Sequence, residues 1–327
     1  MTETPPVILG AMNILNPYRS KETTIEEERE MMTAYLDAFP GGWIDTAYYY
    51  GNGFSQARLG AVLADLSVAR PRIASKVNPW WGNDFSSGRL GALGGEALRH
   101  QIVSTAKALR APRSDDAAPA VDLMFLHAWD SETPIAETMR VMGDYYRRER
   151  YFRDWGLSNV AGPRIGQAIE AAETEGLPRP TVYQGLYNRC CRRIEEIFPI
   201  LETESMKFWA YNPLCGGSLV REPSISKPGR FQNPVYQSIF GGVTLERSCL
   251  EFRSALPTVQ QRLSAALGWY QVGDECRMPT TKQNSSVILG ATTLDQLQGL
   301  LEAWKTPLDW TTTRLPEPED DPPYFYE

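Results

Sequence analysis

Short apolar, β-branched runs alternate with longer stretches of helical period along almost the whole chain, and this alternation constrains the fold more than any other feature. Strand signals fall near 7–12 (VILGAM), 43–47 (WIDTA), 72–77 (RIASKV), 121–127 (VDLMFLH), 153–158 (RDWGLS), 181–186 (TVYQGL), 207–212 (KFWAYN) and 286–291 (SVILGA). Helical stretches fall between them, near 24–39, 55–66, 95–110, 134–149, 163–175, 194–204, 258–271 and 293–304. Strict alternation means parallel strands joined by helical crossovers, and eight such units close naturally on themselves. The expectation is an α/β chain folded as a single-domain (β/α)8 TIM barrel over residues 1–304. An open doubly wound sheet is the competitor, but it usually carries a Gly-rich turn after its first strand. Here that turn reads GAMNILNPY, without the G-x-G-x-x-G pattern. Two segments break the rhythm. The stretch near 213–257, rich in Gly, Pro and Ser, is expected to be a lid-like loop, and 305–327 a Pro-and-acid tail whose last aromatics dock on the barrel.

Charge and cysteine usage narrow the partners. A net charge of −7 argues against nucleic acid or an anionic membrane surface. No apolar run approaches the roughly 18 residues of a membrane span, and the start MTETPPVILG lacks the pattern of a secretory signal. Five cysteines without framework spacing are expected to be reduced, which together predict a cytoplasmic protein. The adjacent Cys190 and Cys191 are read as packing residues, since neighbours rarely bridge comfortably.

In a barrel of this kind the working face lies at the C-terminal strand ends. Those ends carry Asp45, Lys76, His127, Ser158 with Asn159, Gln184 followed by Tyr187, Asn212, and Thr292 with Thr293. Taken singly each has a bland reading: a turn-making Asp, a solvated Lys, a hydrogen-bonded core His. Converging on one mouth, with Tyr50 five residues past Asp45, they form a set suited to carbonyl reduction. A phenol with a pKa near 10 is too weak an acid to protonate a developing alkoxide efficiently at neutral pH. A buried lysine beside it stabilises the phenolate, an aspartate holds the lysine charged, and a histidine orients the carbonyl. No Ser or Cys is visibly coupled to a histidine as a nucleophile. With only two histidines, His100 and His127, and no spaced Cys or Asp cluster, no metal site is expected.

Seven blocks, WIDTAYYYGNG, IASKVNPWWGN, VDLMFLHAWD, WGLSNV, TVYQGLYN, AYNPLCGGSL and VILGATTLDQL, resemble in order and spacing the aldo-keto reductases, closest to the aflatoxin-aldehyde and succinic-semialdehyde reductase branch. The resemblance runs from Val7 to about Leu301. It implies NADPH/NADP+ as cofactor, a small-molecule carbonyl substrate, and a catalytic tetrad of Asp45, Tyr50, Lys76 and His127, with Tyr50 as general acid. It implies that Ser158, Asn159 and Gln184 hold the nicotinamide carboxamide and that Tyr187 lies near or against its ring. Asn212, Pro213, Leu214, Gly216, Gly217 and Leu219 match the loop along the pyrophosphate. Arg230 matches a basic residue near cofactor phosphate or an acidic substrate, and Thr292, Thr293 and Gln296 match the adenosine-phosphate site. Tyr49, Trp80, Trp81 and Trp129 are candidates for the substrate wall, and the related branch points to a homodimer. Three places depart from the pattern: VREPS with Arg221 where a Gly-Lys pair is usual, a short lid before Arg230, and Gly299 with Leu300 where polar residues usually reach the adenine. The last supports an alternative, a redox-neutral pathway enzyme using the same tetrad. A second alternative is a cofactor-sensing subunit resembling the potassium-channel β subunits.

Overall fold

The computed structural model describes residues 6–12, 14, 23–67, 69–84, 88–109, 119–147, 151–222, 243–272, 276–279 and 285–308. Arg230, the lid segment before it and the tail beyond 308 lie outside the described residues.

Eight strands form a closed barrel in chain order: β1 (Val7–Gly10), β2 (Trp43–Asp45), β3 (Arg72–Val77), β4 (Val121–Leu126), β5 (Phe152–Ser158), β6 (Val182–Leu186), β7 (Lys207–Tyr211) and β8 (Ser285–Gly290). Among the described residues the helices are α1 (Ile25–Ala38), α2 (Phe54–Ala64), α3 (Gly95–Leu109), α4 (Ile135–Arg147), α5 (Gly162–Thr174), α6 (Phe198–Thr203), α7 (Val243–Ala255), α8 (Val259–Val272) and α9 (Leu294–Lys305). None is long and apolar enough to cross a membrane. By internal contact the chain divides into two compact units, one centred on Thr23–Gln184 and one on the chain after Gln184.

In the first unit, local chemistry sets the helix starts. Thr24 caps α1 by accepting from the Glu27 N–H at 3.1 Å, while the Glu27 carboxylate accepts from the Thr24 N–H at 2.8 Å. Pro163 occupies the first turn of α5, where its missing N–H leaves nothing unsatisfied. The strands pair in parallel, with Asp45 opposite Ala74, Lys76 opposite Phe125, Phe125 opposite Gly156, and Ser158 opposite Gln184. Opposed residues share a face and side chains alternate with a period of two. Asp45, Lys76, His127, Ser158 and Gln184 are therefore committed to one face by register alone. Gly156 shares that face because nothing larger fits: a Cβ there would lie 2.4 Å from Val182 O and 2.7 Å from the Phe125 ring.

The second unit holds β7 paired in parallel with β8, with Phe208 opposite Ser285. Its aromatic core packs Tyr187 against Phe198, Phe208 and Trp269. The stretch near 213–257, expected as a loop, contains helix α7. Leu245, Cys249 and Phe252 give it a buried stripe at helical spacing, and the Gly, Pro and Ser residues that suggested a loop cluster before it. The helix expected near 194–204 is a 3-10 turn, Arg193–Ile197, running into the short α6.

Candidate active site

Lys76 is fully buried, at 0% exposure, and so cannot be left without a partner. Its ammonium donates to Asp45 Oδ2 at 2.6 Å and to the Thr46 carbonyl at 2.9 Å, and lies 3.5 Å from Tyr50 Oη. Burial lowers the Lys76 pKa from its ordinary value, and the charge and hydrogen bond of Asp45 oppose that. Asp45 is held from its other side, because Gln184 Nε2 donates to Oδ1 at 2.9 Å. A carboxylate only accepts, so this bond fixes which end of the Gln184 amide faces Asp45.

His127 follows β4, with its N–H on the Val77 carbonyl at 2.8 Å. Its imidazole stands edge-on to three rings, Tyr50 at 5.9 Å, Tyr49 at 6.1 Å and Trp80 at 5.3 Å between centroids. Burial first, and the Lys76 charge second, hold its pKa well below the usual 6.5, so the ring is neutral at neutral pH. Nδ1 is buried with no hydrogen-bond partner. A core histidine retained for structure would be expected to satisfy that atom, since leaving it bare costs about 1–3 kcal/mol. The neighbouring Tyr48 turns elsewhere, edge-on to His100, which separates it from the tetrad.

The expected substrate residues divide. Tyr49 and Trp80 meet each other at 5.1 Å and both face His127. Trp81 is exposed in a 3-10 turn, and Trp129 lies under the Arg164 guanidinium at 4.9 Å. A residue missed by sequence reasoning, Asp130, fixes the loop that carries Trp80 and Trp81. Its buried carboxylate accepts from the N–H groups of Gly91 and Leu93, both at 2.9 Å, from the Glu132 N–H at 3.1 Å and from the Thr133 hydroxyl at 2.8 Å. The D-x-x-T spacing after strand four was the available signal.

Of the residues matched to the carboxamide, Ser158 is buried and Asn159 sits at φ 53°, its amide donating to His127 O at 3.0 Å and Ser158 Oγ at 3.1 Å. In the second unit Tyr187 is wholly buried, its hydroxyl donating to Glu195 at 2.8 Å and accepting from the Arg277 N–H at 3.0 Å. Burial drives its pKa far up. It offers no open ring face, whereas Tyr211 at the end of β7 is half-buried. In the matched pyrophosphate loop Asn212, Leu214, Gly216 and Gly217 are partly exposed, while Pro213 and Leu219 are buried. Asn212, Cys215, Gly216 and Gly217 all have positive φ, and a Cβ on Gly217 would meet nothing within 4 Å, so the backbone itself lines open space there. At the start of α9, Thr293 is the N-cap, and Gln296 Oε1 accepts from the Thr292 N–H at 2.9 Å and its hydroxyl at 2.5 Å. Leu300, expected to stand at the adenine end in place of a polar residue, is only 4% exposed and belongs to the core. Its helical position turns it inward, where it packs in the core. Among the described residues no group of His, Cys, Asp and Glu could hold a metal ion.

The sequence pattern of the Aldo/keto reductase family matches residues 6–313. The human aflatoxin B1 aldehyde reductase member 4 is 33% identical over 288 residues, covering 81% of this chain and 80% of its own. The human aldo-keto reductase family 7 member A3 is 32% identical over 288 residues, with the same coverage of 81% and 80%. Among solved structures, a Klebsiella pneumoniae aldo/keto reductase in complex with NADP and acetate superposes with a TM-score of 0.63 at 19% identity, covering 97% of this chain and 93% of that one. The glycerol dehydrogenase of Gluconobacter oxydans gives 0.68 at 20% identity, covering 92% and 87%. With the family pattern spanning nearly all of a closed eight-stranded barrel, this chain is a member of the aldo/keto reductase family.

Proposed function

We propose that this oxidoreductase reduces an aldehyde or ketone to an alcohol with NADPH, Tyr50 acting as general acid. The observation that carries the reading is the buried Asp45–Lys76–Tyr50 chain facing a neutral His127 whose Nδ1 has no partner. The bound nicotinamide would supply the hydride. The chain's own residues do the rest. His127 keeps a hydrogen-bonding edge free among apolar rings, suited to orienting a carbonyl oxygen. Tyr50 delivers the proton to that oxygen, and the Lys76 ammonium stabilises the phenolate left behind. Asp45 keeps Lys76 charged despite burial, and Gln184 steadies Asp45.

Each unit by itself carries groups suited to part of the cofactor: Gln184 and the Asn159 beside Ser158 in the first offer amides to a carboxamide, and Gly216 and Gly217 in the second expose bare backbone to a phosphate. Tyr211, half-buried at the end of β7, is proposed in place of the wholly buried Tyr187 as the aromatic candidate for the nicotinamide ring. The NADP-bound Klebsiella pneumoniae relative supports a nicotinamide cofactor. Tyr49 and Trp80 favour a substrate with an aromatic or apolar body. Of the two residues behind the redox-neutral alternative, Leu300 is in the core and Gly299 is partly exposed. The segment near 213–257 remains proposed as part lid, the tail as docked, the protein as cytoplasmic and homodimeric; light scattering of the purified protein tests the dimer.

Tyr50→Phe separates chemistry from binding. It should lower aldehyde-dependent NADPH oxidation by about 10²–10⁴-fold while NADPH still quenches tryptophan fluorescence. Unchanged turnover in this variant would remove Tyr50 as the acid. Weak or absent NADPH binding by the unaltered protein would sink the reductase reading itself.

A further inference from the structure

Four of the five cysteines, scattered through the sequence, meet in one buried cluster of the second unit. Cys190 and Cys191 come from the segment after β6, Cys215 from the turn after β7, and Cys249 from α7, and each is at most 3% exposed. The Cys190 thiol is in hydrogen-bonding reach of Cys215 and Cys249, and Cys215 is in reach of Cys190, Cys191 and Cys249. A buried thiol packs as a small apolar group, and its reactivity, not its packing, is what four of them in one place adds. The cluster lies directly against the backbone matched to the pyrophosphate. Cys215 belongs to that loop, Arg253 of α7 donates to the Ser218 carbonyl within it, and Asn188 ties it to the Cys190 segment, donating to Asn212 O at 3.0 Å and accepting from the Cys190 N–H at 2.9 Å. Cys215 also holds φ 53°, where the other non-glycine residues at positive φ are Asn and Ser, among the described residues.

We infer that Cys249 and Cys215 form a peroxide-oxidisable pair whose closure to a disulfide reshapes the Asn212–Leu219 loop and weakens nucleotide binding. The part concerning the nucleotide rests on the function proposed above.

The thiols differ in role. Hydrogen bonds from Cys190 and then Cys215 bring the Cys249 pKa down to about 4, with Arg253 adding to the effect and burial opposing it. Cys215 keeps its proton, pushed well up by its hydrogen bonds to Cys190, Cys191 and Cys249 and by burial. Cys249 is therefore the thiolate and Cys215 a proton-bearing partner beside it. The Cys249 thiolate attacks the O–O bond of hydrogen peroxide, becoming a sulfenic acid and releasing hydroxide. The hydroxide takes the Cys215 proton and forms water. The Cys215 thiolate then displaces the second hydroxide, which is protonated to water as the S–S bond forms. Two thiols are oxidised and one peroxide is reduced.

The test uses the full chain carrying Cys276→Ser, which removes the partly exposed thiol. The reduced protein is treated with hydrogen peroxide, alkylated after denaturation, and mapped by mass spectrometry without reductant. Expected is a peptide pair joined through Cys215 and Cys249, two hydrogens lighter than its parts and released by dithiothreitol. NADPH titration of the oxidised protein should show binding roughly tenfold weaker or worse, restored by dithiothreitol, and adding Cys249→Ser should abolish both effects. Thiols left unreacted, sulfinic or sulfonic acids instead of a bridge, or a bridge confined to other cysteines overturns the assignment. A Cys215–Cys249 bridge with unchanged NADPH affinity overturns the coupling to the loop. The two readings fail separately: if the reduced protein binds no NADPH the proposed reductase function falls, while the peptide map still decides the bridge.

Discussion

At the level of single residues, the tetrad is held together by one buried ion pair. Lys76 and Asp45, 2.6 Å apart and both buried, exist only as a pair, because either charge alone would stand in a medium that solvates it poorly. Lys76→Met should therefore damage more than catalysis. It strands the Asp45 carboxylate, and urea unfolding should show a loss of about 3–5 kcal/mol. Removing both charges together, with Asp45→Leu added, should recover part of that stability and none of the activity. That Asp45, Tyr50, Lys76 and His127 would lie together was legible in the sequence, because ionisable groups at strand ends are few. Gln184 was legible as a cofactor residue only, since its bond to Asp45 joins positions 139 residues apart. The burial of Tyr187 was not legible for a similar reason. Its hydroxyl is claimed by Glu195 and Arg277, which no local pattern announces.

Among the elements, the helix spacing depends on a few places where no side chain is allowed. Gly60 on α2 faces α3 so closely that a Cβ would lie 1.9 Å from the Ala108 carbonyl oxygen. Alanine would gain up to about 1 kcal/mol of helix propensity and lose about 1–3 kcal/mol or more to the forced separation. The clash is with backbone, which cannot rotate away, so Gly60→Ala should lower the midpoint of thermal or urea unfolding. The element order was readable because period-two and period-3.6 runs are long and clean in this chain. Helix α7 was not, for two reasons: it breaks the strand–helix rhythm, and one of its inward positions is Cys249, easily passed over as an apolar residue.

For the whole molecule, the buried neutral imidazole makes stability depend on pH. The His127 pKa is lowered on folding, so its contribution is complete above the unfolded value near 6.5 and is lost as pH falls toward the folded value. Below about 6.5 the unfolded chain takes up a proton that the folded chain refuses, at up to about 1.4 kcal/mol per pH unit. Unfolding midpoints at pH 7.5 and 5.5 should differ by less in His127→Gln than in the parent protein. Equal differences would show that His127 is charged, or exposed, in the folded state. The acidic net charge of −7 was visible from composition but says nothing of this term, which belongs to one residue in one buried place.

The amide of Gln184 also has a consequence for molecular discrimination. With one Nε2 N–H given to Asp45, the amide is oriented so that its oxygen end can accept a hydrogen bond and cannot donate one. A group docking there must bring an N–H, as a carboxamide does, while a carboxylate would meet lone pair against lone pair. The protein should therefore tell NADPH from its deamidated analogue, the nicotinic acid form, although the two have nearly the same size and shape. Parallel fluorescence titrations would measure the difference, and equal affinities would mean that Gln184 does not read that group.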